Sequence, residues 1–194
     1  MIVLKRGEPW VFWPSKICTT FSENFGNRLL TGNEDYIIEL VFELLDDSDL
    51  KKTLFAILPS YVGLDVNKED MTFIITYTDD VEYKSLPLLI LPNKKHKVKL
   101  EHRCNKELVL SLDGEVLSKV DLSNRSLGVE SEPHIIFGAG NFPRNDFNLN
   151  YTSFNFHEFN LHQSDNLLSH HIFDEIIHEK SVDLTGNCNF IHKI

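Results

Sequence analysis

The stretch from Lys95 to Leu122 constrains the fold more than any other part of the chain. Val98, Leu100 and His102 take alternate positions, and Lys97, Lys99, Glu101 and Arg103 take the positions between them. Side chains on a strand point to opposite faces with a period of two, so this run reads as a strand with one apolar face. Cys104-Asn105-Lys106-Glu107 is a polar break. Leu108, Leu110 and Leu112 then alternate with Val109 and Ser111. Asp113-Gly114 follows, a strong signal for a two-residue type I′ turn, which needs positive φ at both central positions. Val116 to Leu122 is the return strand. A three-stranded meander with one apolar face must bury that face against a second layer.

The rest of the chain has the same texture. Tyr36–Leu44, Met71–Thr78, Leu86–Leu91, His134–Phe137 and Phe154–Leu161 are β-forming runs bounded by turn residues. Their spacing is that of an all-β sandwich. The last of them carries aromatic residues that, on strict alternation, fall on both faces. Helical periodicity is confined to two places, Ser48 to Phe55 and Asn166 to Glu179. In the second, Leu167, Leu168, His171, Ile172, Glu175 and Ile176 form a stripe, with Ser164 and Asp165 as caps. No repeat, low-complexity linker or domain boundary stands out. The expected architecture is one domain over residues 1–194: an all-β, two-sheet antiparallel jelly-roll sandwich with one or two short helices and a helical appendix near 166–179.

Charge and cysteine content narrow the setting. The chain has 194 residues, with 19 Lys+Arg against 29 Asp+Glu and a formal net charge of −10. Nucleic acid is not an expected partner, since phosphate neutralisation needs a basic surface. No apolar run approaches the ~20 residues of a transmembrane helix. Met1 to Arg6 does not open a secretory signal. Cys18, Cys104 and Cys188 are an odd number at wide spacing and form no disulfide framework. A cytoplasmic location or a place in a virus particle is the expectation, with no membrane partner.

Four pieces between Lys97 and His162 resemble the concanavalin A-like lectin/glucanase superfamily, in particular its laminin G-like and pentraxin-like members. They are Lys97-Val98-Lys99-Leu100, the strand Leu108–Leu112 with Asp113-Gly114, His134-Ile135-Ile136-Phe137-Gly138, and Phe154-Asn155-Phe156-His157-Glu158-Phe159. The resemblance covers about a third of the chain. It implies a two-sheet antiparallel jelly roll, in a superfamily of carbohydrate binders, adhesion modules and some glycan-cleaving enzymes. Fold alone does not choose among them.

Several constellations carry candidate chemistry. The superfamily's hydrolase pattern, Glu-x-Asp-x-x-Glu, is absent, because Val41 stands where the middle acid would follow Glu39. Glu39 and Glu43 share one strand face, about 13 Å apart at a ~3.3 Å rise. That is too far for a retaining pair, so a solvated face is the expectation. His171, Asp174, Glu175 and His178 would share a helix face beside His170, and such a set is compatible with zinc without matching a zinc motif. Between residues 140 and 150, Asp146, Asn148 and Asn150 alternate oxygen donors that suit calcium, the candidate cofactor. Asn141, Arg144, Asp146, Asn148 and Asn150 also form the candidate ligand loop, with amides and charges that bond sugar hydroxyls. Trp10, Phe12 and Trp13 read as core packing, with sugar stacking as the alternative. Lys94, Lys95, Lys97, Lys99, Arg103 and Lys106 form a basic patch, which reads as a protected outer face or edge. No Gly-x-Ser-x-Gly, Gly-x-Gly-x-x-Gly or phosphate-loop lysine motif occurs.

The leading functional expectation is a non-catalytic recognition module that binds a glycan or a protein surface through end loops or a concave sheet face. The second is a structural or assembly subunit, for example of a virus or phage particle, for which an oligomer is expected. A glycan-cleaving enzyme ranks last, because it lacks its acid pattern.

Overall fold

Short β-forming runs between turn residues become sixteen strands, with no helix, among the residues that the computed structural model describes. Those residues are 2–3, 10–13, 34–44, 52–58, 62–66, 71–75, 81–84, 90–123, 134–137, 154–163, 165–173, 176–177, 180–185 and 190–193. In chain order the strands are β1 (Ile2–Val3), β2 (Trp10–Trp13), β3 (Tyr36–Leu44), β4 (Lys52–Leu58), β5 (Val62–Val66), β6 (Met71–Ile75), β7 (Val81–Lys84) and β8 (Lys95–Arg103). There follow β9 (Glu107–Leu112), β10 (Glu115–Asp121), β11 (His134–Phe137), β12 (Phe154–Gln163), β13 (Asn166–Ile172), β14 (Ile176–Ile177), β15 (Lys180–Val182) and β16 (Phe190–Lys193).

They build two antiparallel sheets. One has the order β1-β12-β3-β8-β9-β10, with β13 also on β12. Since β3 takes one edge of β12, β1 and β13 share the other, β1 at Asn155–Phe156 and β13 from Glu158 onward. The second sheet runs β14-β15-β16-β2-β11-β4-β5-β6-β7. The alternating burial of β3 and β8 puts Ile38, Leu40, Phe42, Val98 and Leu100 in a single core with Leu54, Phe55, Ile57, Val62, Leu64, Ile135 and Phe137 of the other sheet. Phe137 of β11 joins the layers: its ring lies 5.6 Å from Phe156, 5.3 Å from Phe159 and 6.1 Å from Phe173, edge-on to each. The all-β, two-sheet antiparallel sandwich expected from the sequence is therefore the fold. Among the described residues, no helix is long and apolar enough to cross a membrane.

The meander forms as its sequence dictates. Asp113 has φ 50° and Gly114 φ 90°, the two positive values that a type I′ turn needs. Asn93 and Asn105, at the neighbouring turns, also take left-handed φ, which Asn and Asp tolerate best among residues with a side chain. The Asp113 carboxylate accepts the Lys97 N–H (2.8 Å) and faces Nδ1 of buried His96 (2.8 Å), while Asp113 N–H donates to Lys97 O (2.8 Å). The turn between β9 and β10 is thereby fastened to β8.

Three sequence expectations need correction. Residues 52–58, assigned in part to a helix over Ser48–Phe55, form β4, an interior strand of its sheet. Leu54, Phe55, Ala56 and Ile57 are all buried, and a short continuous apolar run cannot separate a buried strand from a helix by periodicity. The helical appendix near 166–179 begins instead as β13, whose backbone pairs with β12. Asp165 sits in the turn between these two strands rather than capping a helix. In the run Leu86–Leu91, Ile90 and Leu91 are not strand, and the residues before Ile90 lie outside the described residues.

His102 makes the fold pH-dependent. Its ring is buried, stacks on Tyr36 with centroids 4.7 Å apart, and shares a hydrogen bond with Glu34 O (2.8 Å). Burial pushes its pKa below the ordinary 6.5, against the opposing pull of the Glu34 carbonyl and the Asp35 charge. The unfolded chain then takes up a proton before the native ring does, so stability falls as pH drops from about 6.5 toward the lower native value. Urea unfolding is expected to show a falling midpoint over this window, with a shallower fall in His102→Phe. An unchanged slope in the variant would remove His102 as the cause.

Candidate functional site

The outward side of the β12–β3–β8 layer, extended by β13, carries a dense set of polar side chains. β3 turns Tyr36, Ile38, Leu40 and Phe42 inward and leaves Glu39 and Glu43 outward. β8 turns Lys95, Lys97, Lys99, Glu101 and Arg103 the same way. β12 reaches this pattern through a β-bulge between Phe156 and Glu158. The extra residue, His157, shifts the alternation by one, so Phe154, Phe156, Phe159 and Leu161 all face the core. The aromatic residues expected on both faces of this strand lie on one. Asn155, His157, Glu158, Asn160 and His162 are left on the polar side, joined by His170 opposite Asn160.

The contacts form three groups. Glu43 Oε2 accepts from Asn155 Nδ2 and meets His157 Nε2, both at 3.3 Å. Glu39 has Lys97 Nζ on one oxygen at 3.0 Å and His162 Nε2 near the other at 3.6 Å, beyond hydrogen-bond reach. Glu158 Oε1 accepts from Asn160 Nδ2 (2.9 Å), with His170 Nε2 3.3 Å away. The side chains of Glu39 and Glu43 are 17% and 20% exposed, so they are half-buried rather than solvated as expected. Each is held by partners of its own, and neither is left as a free acid for a hydrolase pair. Asn155 Oδ1, Asn160 Oδ1, His162 Nε2 and His170 Nε2 are screened from water and make no hydrogen bond. Native structures satisfy nearly all such atoms, and exceptions concentrate at functional places.

The basic patch is largely neutralised where it stands. Lys99 pairs with Glu101 (2.7 Å), Arg103 with Glu101 (3.1 Å) and Glu107, and Lys97 with Glu39. β8 is an interior strand, so the patch is an outer face and not an edge. The ion pair to Lys99 holds the Glu101 carboxyl below the usual range, opposed by partial burial and aided by Arg103. A shallow cleft of about 340 Å³ lies at its far end, lined by Lys106, Glu107, Lys119, Val120 and Asp121.

The candidates read from sequence fare unevenly. Asn141, Arg144, Asp146, Asn148 and Asn150, the ligand loop and calcium candidate, lie outside the described residues. So do Asp174, Glu175 and His178. The helix face expected for His171 with those residues does not begin at His171, which lies with His170 on strand β13, where adjacent residues point opposite ways. His170 is on the polar side and His171 is buried, bonded to Ser169 (2.9 Å). Asp183 sits close by and accepts the His170 and Thr185 backbone N–H groups at 3.1 and 3.0 Å. Burial raises its pKa, but these bonds and the Thr185 hydroxyl outweigh it and hold the carboxyl low. Ser169 and His171 have no exposed surface, so no substrate meets this serine and histidine. No group of three or more His, Cys, Asp or Glu able to hold a metal occurs among the described residues. Trp10, Phe12 and Trp13 lie on β2, an interior strand of the second sheet.

No family model matches the chain, and no curated protein matches it in sequence. Solved structures do share its fold. The binding domain of botulinum neurotoxin serotype D superposes with a TM-score of 0.56 at 14% identity, over 83% of this chain and 38% of that one. A second structure, the receptor binding domain of botulinum neurotoxin D, gives 0.55 at 15% identity, over 83% and 39%. A family 7 alginate lyase A1-II′ in complex with substrate gives 0.47 at 10% identity, over 69% and 62%. At these identities the likeness to the neurotoxin domains is one of fold, a β-sandwich. The chain spans about two-fifths of the length of those neurotoxin chains.

Proposed function

We propose that the chain, as a single sandwich over residues 1–194, is a non-catalytic recognition module of concanavalin A-like type that binds a glycan through the polar side of the β12–β3–β8–β13 layer. The observation that carries this reading is the row of polar side chains that stay open to solvent there: Lys97, Lys99 and Arg103 of β8 and Glu158 of β12, between 36% and 50% exposed. A sugar offers hydroxyls that both donate and accept, so it can bond ammonium, guanidinium and carboxylate groups together. Strands fix these groups more firmly than loops do, which lowers the ordering cost of binding. The neurotoxin domains that share the fold are binding domains of their own proteins, a task of the same class.

Binding of the chain to a broad glycan array is the direct test. At least one class of glycan should bind, and the double variant Lys99→Ala/Glu158→Ala should lose about tenfold or more in affinity, roughly the worth of one good hydrogen bond. Circular dichroism of the variant must match the parent for the loss to count. A chain that binds no glycan on the array would overturn the proposal.

A further inference from the structure

β10 stands at one end of its sheet, and among the described residues it pairs with β9 on one side only. Leu122 N–H donates to Lys106 O (2.8 Å), which continues the register that sets Val120 opposite Leu108 and Asp121 opposite Glu107. On an antiparallel strand the N–H and C=O of one residue point to the same neighbour, and those of the next residue point the other way. Leu122 and Val120 therefore face β9 with their backbone groups, while Lys119 and Asp121 turn theirs to the free edge. Such a row is a template for one more strand. We propose that a second copy of this chain supplies that strand: β10 pairs with β10 antiparallel about a two-fold axis at Val120, so that Lys119 of each copy stands opposite Asp121 of the other.

The side chains fit this register. Lys119 and Asp121 are exposed and lie opposite Val109 and Glu107, on the outward side, while Val120 is buried on the inward side. Facing residues of antiparallel strands share a face, so the pairing makes two Lys–Asp contacts, one on each side of the axis. Asp121 is a carboxylate set directly opposite another, Glu107, an arrangement that destabilises a ladder unless a cation attends it. Glu107 has Arg103. Asp121 Oδ1 accepts Ser123 N–H (2.8 Å), but Asp121 has no cation among the described residues, and Lys119 has no ion pair there. The partner copy's Lys119 is the missing cation. The shallow cleft lined by Lys106, Glu107, Lys119, Val120 and Asp121 lies where it would enter.

Charge also fixes the register. Sliding one copy by two residues sets Lys119 against Lys119 or Asp121 against Asp121, and like charges oppose both. Lysines and bulges on an edge commonly keep strands apart. Here the bulge lies between Val116 and Ser118, so the regular part of β10 begins at Ser118 and carries the pairing. Lys119 alone would repel its own copy, but Asp121 two places on makes the edge complementary to itself. The pairing joins the two first sheets edge to edge and leaves their polar sides on one surface. It stands apart from the glycan-binding reading and does not depend on it.

The test is sedimentation equilibrium of the full chain from about 5 to about 200 μM in about 0.15 M salt, where the long-range repulsion between two acidic chains is screened. The average mass should rise with concentration toward twice that of one chain. Lys119→Asp and Asp121→Lys should each weaken the dimer about tenfold or more, because two like-charge contacts replace two ion pairs. The double variant Lys119→Asp/Asp121→Lys exchanges the charges and should restore it. Both positions are exposed, so circular dichroism of all three variants should match the parent. A dimer that both single reversals leave intact, or one that the exchange does not restore, would overturn the inference. So would a chain that stays monomeric at the highest concentration, and the edge would then be open to an extended segment of a different protein.

Discussion

Replacing Phe137 by Ala should lower the free energy of unfolding by about 3–5 kcal/mol, the cost of emptying a well-packed aromatic site. Phe137 is 1% exposed and comes from the sheet opposite to β12. Its ring stands edge-on to Phe156, Phe159 and Phe173, so the truncation opens a void between layers that neither sheet can close by moving one strand. Phe137→Leu keeps most of the volume but loses the three ring contacts, each worth about 0.5–1.5 kcal/mol beyond burial. It should therefore fall between parent and Ala. Val116 is 52% exposed on the outer strand β10, and Val116→Ala should change stability by no more than about 0.5 kcal/mol. Urea midpoints with a common slope decide the matter. A Phe137→Ala variant that unfolds within about 1 kcal/mol of the parent would mean that the two layers do not meet through this ring.

That junction was only partly legible in the sequence. His134–Phe137 reads as a strand from its composition alone, but nothing local says which rings it meets. The meander from Lys95 to Leu122 was legible because alternation, the apolar face and the Asp113-Gly114 turn all point the same way. β13 was not, because Leu167, Leu168, His171 and Ile172 fit a helical stripe as well as a bulged strand, and only the pairing with β12 decides. The polar side of the first sheet was the least legible. Glu43 and Asn155 are 112 residues apart, and the extra residue at His157 re-aims everything after it. A strand read with strict alternation puts Phe159 beside His157; the bulge separates them and gathers the imidazoles with the glutamates. The signal present all along was compositional: Asn155, His157, Glu158, Asn160 and His162 are more polar than a strand buried on both sides allows.

Asp113→Ala should cost about 2–3 kcal/mol, and the reason is not the turn alone. One part is backbone: Asp113 holds φ 50°, and a residue without a local polar side chain loses about 1 kcal/mol there. The other part is the carboxylate, which accepts Lys97 N–H and meets buried His96. Bonds to a charged acceptor are worth about 1.5–3 kcal/mol when buried; with the Asp113 side chain 43% exposed, the lower end applies. Asp113→Gly separates the two, since it accepts the positive φ without strain but keeps no acceptor. It should lie between Ala and parent if both parts act. The same carboxyl sets an acid limit. Burial raises its pKa, but the bonds from Lys97 and His96, with the charges of His96 and Lys94, hold it below the usual 3.8. A depressed native pKa contributes stability above the unfolded value, and the contribution is lost as pH falls through the native one. Acid unfolding below about pH 4 should therefore be less steep in Asp113→Ala than in the parent. Parallel acid curves would show that the carboxylate does not fasten the hairpin to β8, and the cost of the variant would then belong to the turn backbone.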